Sequence, residues 1–195
     1  NVYAALYGTQ EQIDVNWKIV TDSFSKSGKA KILTEQEAAD DPAFQYRAAL
    51  MRGDMTLKEF SLYNWRGGGG SMWFAPVSQA RGSETLKQMA MTKRILGKYG
   101  LDYSGEFSVG RRDMHHIVDV LHHKTDPAMT KAAYQCFDEL LTEFSNEGYG
   151  TYRVNTAFMD KVAHTYGPVQ RHVHKTLKKA LDPNGILAPG KSGIR

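Results

Sequence analysis

The stretch Ser61-Leu-Tyr-Asn-Trp-Arg-Gly-Gly-Gly-Gly-Ser-Met-Trp-Phe-Ala-Pro76 places four consecutive glycines between Trp65-Arg66 and Met72-Trp73-Phe74. A flexible linker would be flanked by further Ser and Gly and would not carry two tryptophans. Glycines beside aromatics indicate backbone passing so close to a flat group that any Cβ would collide. Two readings stand: a tight buried turn packed on core aromatics, or a close approach to a ligand. A phosphate cradle is the weaker form of the second. The run lacks GxGxxG spacing after a strand, has no Lys-Ser/Thr, and no helix-forming segment follows it directly.

Downstream, Met72 to Ser78 is strand-like. Ser83 is placed to cap a helix carrying Leu86, Met89, Ala90 and Ile95, ended by Gly100. Tyr103 to Val109 and Met114 to His122 alternate as two paired strands. Asp126-Pro127 sets a cap and a proline at the first helical position, opening a helix through Ala133, Phe137, Leu140, Leu141 and Phe144 to Gly148. Upstream, Val2 to Tyr7 alternates as a short strand. Thr9 and Gln12 form a capping box for a helix with Ile13, Trp17, Val20 and Phe24 on one face, stopping at Gly28. Lys31 to Thr34 suggests a second strand and Pro42 to Met51 a helix. Gly53 to Leu57 is a loop delivering Glu59 and Tyr63 to the glycine run. After Gly148-Tyr149-Gly150 come a short strand at Thr151 to Val154, helical segments around Ala157 to Tyr166 and Val169 to Leu181, and a Pro- and Gly-rich tail. Two strand–helix–strand units without a sequence repeat make an α+β layer fold, helices on one face of a mixed or antiparallel sheet.

The 195 residues fit one large domain, or one and part of a second. Apolar and charged fractions of 41% and 24% suit a chain able to bury a core. No apolar run is long enough to span a membrane. Cys136 is alone, so no internal disulfide forms and the compartment stays open. The net charge of +4 is spread along the chain, with a local basic excess from Arg171 to Lys179. That excess reads first as a solvated helix face, second as a docking patch for an acidic partner.

Tyr63 to Ser78, Asn1 to Gln10, Arg111-Arg-Asp-Met-His-His-Ile117, Tyr149-Gly-Thr-Tyr-Arg-Val-Asn155 and Asp182 to Ile194 together resemble the vanillyl-alcohol oxidase family of FAD enzymes, its methylhydroxylase branch in particular. The resemblance covers effectively the whole chain but only the C-terminal part of such a subunit. It implies an antiparallel-sheet cap domain over the substrate at 1–149 and a segment returning to the FAD-binding domain at 150–195. It also implies that the family's FAD-binding region and natural start lie outside this sequence.

The resemblance implies oxidation of a 4-alkylphenol at its benzylic carbon, which requires loss of hydride from carbon and becomes feasible from the phenolate because its charge flows into the ring and gives a quinone methide. A phenol pKa of about 10 means that the site must favour the anion by a few kcal/mol. Tyr152 and Arg153 suit this, since an O–H and a guanidinium can both donate to one oxyanion. Adjacent strand residues point to opposite faces, so a shared target demands a bend, eased by Gly150. The bland alternative is an edge tyrosine and a surface arginine.

The resemblance assigns further roles. Tyr63 corresponds to the tyrosine whose oxygen bonds covalently to FAD, and Ser71 stands where other members attach FAD through histidine. Glu59, Glu106 and His115 match pocket groups for proton transfer and water activation. Lys191 matches a cation beside the cofactor, where the methylhydroxylases carry Arg, and Arg153 also borders it. Haem is expected only on a partner, a c-type cytochrome subunit, with a homodimer of flavoprotein subunits, no nucleic acid, no membrane, and a periplasmic location, cytoplasmic being the alternative. Three classes follow: a cytochrome-linked hydroxylating dehydrogenase, an oxygen-using alkylphenol oxidase, and a cofactor-free protein-binding module. A metal site among the histidines is disfavoured, because positions along one strand spread the rings.

Overall fold

The computed structural model describes residues 1–194, in two compact units, residues 1–62 and 63–194. In the first unit, α1 (Gln10–Ser25) begins with the expected capping box: Thr9 accepts from the Gln12 N–H, and the Gln12 side chain accepts from the Thr9 N–H at 3.1 Å. Its Trp17 and Phe24 remain exposed. The helix α2 (Pro42–Met51) forms as expected, and Asp41 caps it. Val2 to Tyr7 and Lys31 to Thr34 are not strands. The first is held by side chains instead, Tyr7 Oη donating to the Met51 carbonyl at 2.7 Å and the Arg47 guanidinium lying over the Tyr3 ring. Alternation alone cannot make a strand where no neighbouring edge accepts its backbone bonds.

The second unit is α+β with antiparallel pairing. Two short strands, β1 (Gly69–Gly70) and β6 (His122–His123), pair with each other. The main sheet centres on β5 (Asp113–Asp119). On one side it pairs with β4 (Gly105–Val109), and on the other with β2 (Trp73–Phe74) and β3 (Pro76–Gln79), one expected strand interrupted at Ala75. Outside β3 runs β7 (Gly150–Thr151), shorter than the expected Thr151 to Val154.

Two helices, α3 (Gly82–Lys98) and α4 (Pro127–Asn146), join Phe74, Met114 and Val118 in the core; Phe74 meets Phe144 edge-on at 4.9 Å. Asp126 caps α4 as expected. Arg81 occupies the cap position of α3, so Ser83 lies inside its first turn. The buried face of α3 is Gln88, Thr92, Ile95 and Leu96, while Leu86 is exposed. Two inward polar residues hid that face from a hydrophobicity pattern. Lys87–Glu147, Arg94–Glu143 and Lys98–Glu139 tie α3 to α4 along their outer edge.

Beyond β7, α5 (Met159–Thr165) and α6 (Pro168–Leu181) correspond to the two expected helical segments. Among the described residues no helix is long and apolar enough to cross a membrane.

Candidate active site

The pleat of β5 sends Met114, His116 and Val118 into the core and His115, Ile117 and Asp119 to the opposite face. Register adds Val77 opposite His115, Glu106 opposite Ile117 and Trp73 opposite Asp119 on that same open face. Two clusters form, one holding Tyr63 and Ser71 and the other His115, Tyr152 and Arg153.

The first cluster forms at the glycine run. Trp65 Nε1 donates to Asp102 at 2.9 Å, and Arg66 contacts both Asp102 and the Gly100 carbonyl. The chain then folds back so that Trp73 Nε1 donates to the phenolic oxygen of Tyr63 at 2.9 Å. The flat group behind the glycines is the β6 histidine pair. A Cβ on Gly68 would meet the backbone of His123, and one on Gly70 would lie 2.6 Å from the ring and carbonyl of His122. Gly67 and Gly69 instead have φ of +72° and +62°. The run is thus a tight turn laid against His122 and His123 rather than against core aromatics, and of its four glycines Gly70 alone is buried.

Ser71 donates to Asp119, whose second carboxylate oxygen is buried without a partner among the described residues. Burial pushes the Asp119 carboxyl up to about 6, against the opposing pull of the Ser71 hydrogen bond. Asp119 and Trp73 were missed in the sequence. The signal was present for Asp119, which lies four residues after His115 on an alternating strand.

The second cluster holds His115, Tyr152 and Arg153. The rings of His115 and Tyr152 stack with centroids 4.6 Å apart, and the Arg153 guanidinium lies 5.4 Å from the Tyr152 ring centre. The expected conflict between adjacent strand residues does not arise, because β7 ends at Thr151. The Thr151 hydroxyl, within hydrogen-bond distance of the Ala75 and Arg153 carbonyls, shapes that turn rather than Gly150, which remains in the ladder. His115 Nε2 also lies 3.1 Å from Asp113 Oδ2.

Glu106 shares the open face but is exposed, so no burial cost arises for its carboxylate. Glu59 is exposed in the 3-10 segment Lys58–Gly67. Lys191 is exposed in a terminal 3-10 turn packed on α5, and no hydrogen bond or ion pair among the described residues joins it to either cluster. His116 faces the core, stacked on Phe107 and bonded through Nε2 to Tyr103 Oη; burial lowers it to about 4. Among the described residues no group of three or more His, Cys, Asp or Glu is arranged to hold a metal.

Residues 3–192 match the FAD linked oxidases, C-terminal domain. The chain belongs to this family. It is 66% identical over 194 residues to the 4-cresol dehydrogenase [hydroxylating] flavoprotein subunit of Pseudomonas putida, covering 100% of this chain and 37% of that relative. A crystal structure of p-cresol methylhydroxylase with substrate bound superposes with a TM-score of 0.92 at 65% identity, over 97% of this chain and 37% of that one. The 4-ethylphenol oxidase from Gulosibacter chungangensis, in an isoeugenol complex, superposes with a TM-score of 0.90 at 36% identity, over 96% and 38%. This FAD-linked oxidase domain thus spans little more than a third of the length of these relatives.

Proposed function

We propose that the whole protein oxidises 4-alkylphenols at the benzylic carbon and adds water to the product, with FAD as its cofactor. The observation that carries this reading is the Tyr152–Arg153 pair at the end of β7, with His115 stacked on the phenol ring. A hydroxyl donor and a permanent cation side by side favour a phenolate over a phenol. Charge on the substrate oxygen then drives hydride from the benzylic carbon, leaving a quinone methide that water attacks. His115, Glu106 and Glu59 are the groups proposed to move the protons of that step.

The residues present fit the cofactor. Tyr63 presents a half-buried phenolic oxygen held by Trp73, and beside Trp73 the buried Asp119 keeps one oxygen for a partner. Tyr63 would bond FAD covalently, with Arg153 and Lys191 as cations along its edge. FAD, when bound, supplies the hydride acceptor. In this reading residues 1–149 cap the substrate and residues 150–195 return to the FAD-binding domain. Electrons leave to a c-type cytochrome subunit, in a homodimer of flavoprotein subunits placed in the periplasm.

The 36% identity to an alkylphenol oxidase of the same fold keeps a second reading open, in which oxygen takes the electrons. Peroxide release against cytochrome c reduction separates the two. The test of the main reading uses the full-length protein. Tyr152→Phe and Arg153→Gln should each slow single-turnover oxidation of 4-methylphenol by roughly two to three orders of magnitude. A loss of affinity alone, at unchanged rate, would mean that the pair only holds the ground state.

A further inference from the structure

We infer that Asp113 is a positioning residue for His115, holding its ring as the Nε2–H tautomer and leaving Nδ1 as the nitrogen that takes a proton in the site. The consequence for the reaction rests on the function proposed above; the tautomer itself does not.

Three constraints meet on His115. Its backbone lies in the middle of the sheet, opposite Val77 on one side and Ser108 on the other. The Tyr152 ring lies against its face at 4.6 Å, with 28° between the planes, which limits rotation of the imidazole. At its edge, Nε2 lies 3.1 Å from Asp113 Oδ2. A carboxylate has no proton to give, so Nε2 must be the donor. A neutral imidazole carries one N–H, and the lone pair therefore sits on Nδ1.

Asp113 is itself fixed. It opens β5 opposite Gln79, and its carbonyl accepts from the Gly110 N–H at 2.8 Å, closing the loop that carries Arg111 and Arg112. Being two residues before His115, it projects to the same face of the strand. An exposed carboxylate–imidazole contact adds little to overall stability. Choosing between two tautomers of similar energy demands far less than stabilising a fold, so this contact is sufficient for that task.

Asp113→Asn keeps an oxygen acceptor, Asp113→Ala removes it, and Asp113→Lys presents a group that can only donate. In full-length protein with 15N-labelled histidine, and His115→Gln to assign the signal, the wild type should show a protonated Nε2 and a pyridine-like Nδ1. Asp113→Asn should keep that pattern, and Asp113→Lys should reverse it. Single-turnover oxidation of 4-methylphenol should stay within about threefold of wild type in Asp113→Asn and fall about tenfold or more in the Ala and Lys variants, at unchanged FAD content. An unchanged His115 tautomer in Asp113→Lys would overturn the inference, as would a reversed tautomer with an unchanged rate. If the wild type does not oxidise alkylphenols at all, the proposed function falls, while the nitrogen signals still decide the tautomer.

Discussion

The indole Nε1 of Trp73 donates to the phenolic oxygen of Tyr63, closing a fold-back of ten residues around the glycine run. The two rings meet edge-on at 6.3 Å, so the phenol is oriented by packing and by a directed bond together. If Tyr63 carries FAD, Tyr63→Phe in the full-length protein binds the cofactor without retaining it on denaturation. Trp73→Phe keeps the attaching oxygen but loses its orientation, so covalent attachment should be slower yet still reach completion. Acid precipitation after timed reconstitution, followed by absorbance of the pellet, reads both outcomes.

The glycines make a prediction about stability. Gly70→Ala drives a methyl into the ring and carbonyl of His122, and Gly68→Ala drives one into the His123 backbone. Each should cost about 1–3 kcal/mol or more, because backbone cannot move aside as a flexible side chain can. At Gly150 no atom outside its chain neighbours lies within 4 Å of an added Cβ, and Gly150→Ala should shift the melting temperature far less. Thermal unfolding of the three variants ranks them.

Two buried groups set opposing pH dependences. Asp119, raised to about 6 from 3.8, stays protonated in the folded chain where the unfolded chain has ionised, so its share of stability declines as pH rises from about 4 to 6. His116, lowered to about 4 from 6.5, stays neutral where the unfolded chain has protonated, so its share declines as pH falls from about 6.5 to 4. Each amounts to roughly 3 kcal/mol, and because they run in opposite directions they largely cancel. Asp119→Asn should therefore uncover extra acid lability, and His116→Gln should remove it. Melting temperatures between pH 4 and 7 give the slopes.

The water step is tested at Glu59. With Glu59→Gln, the benzylic oxidation should proceed near its normal rate while the hydroxylated product forms slowly and the quinone methide accumulates. Stopped-flow spectra resolve that species. Collapse of the first step without any accumulating intermediate would transfer the water role to Glu106 or His115.

Local chemistry along the chain determined much of this protein. The Thr9–Gln12 box and Asp126-Pro127 announced two helices, because a cap and its partners lie within one turn of chain. Alternation across 103–122 announced the β4–β5 hairpin for the same reason. The motifs around Tyr63, His115 and Tyr152-Arg153 marked the candidate site residues and the family. Tertiary structure decided the rest. Which readable strands found partners, as 2–7 did not, depends on edges supplied from far away in the chain. That Gln88 and Thr92 face inward, and that His122 and His123 are what the glycines accommodate, follows from packing between segments tens of residues apart. Only the sheet register could bring His115 beside Tyr152 and set Trp73 opposite Asp119, because a pleat assigns faces locally while pairing assigns neighbours globally.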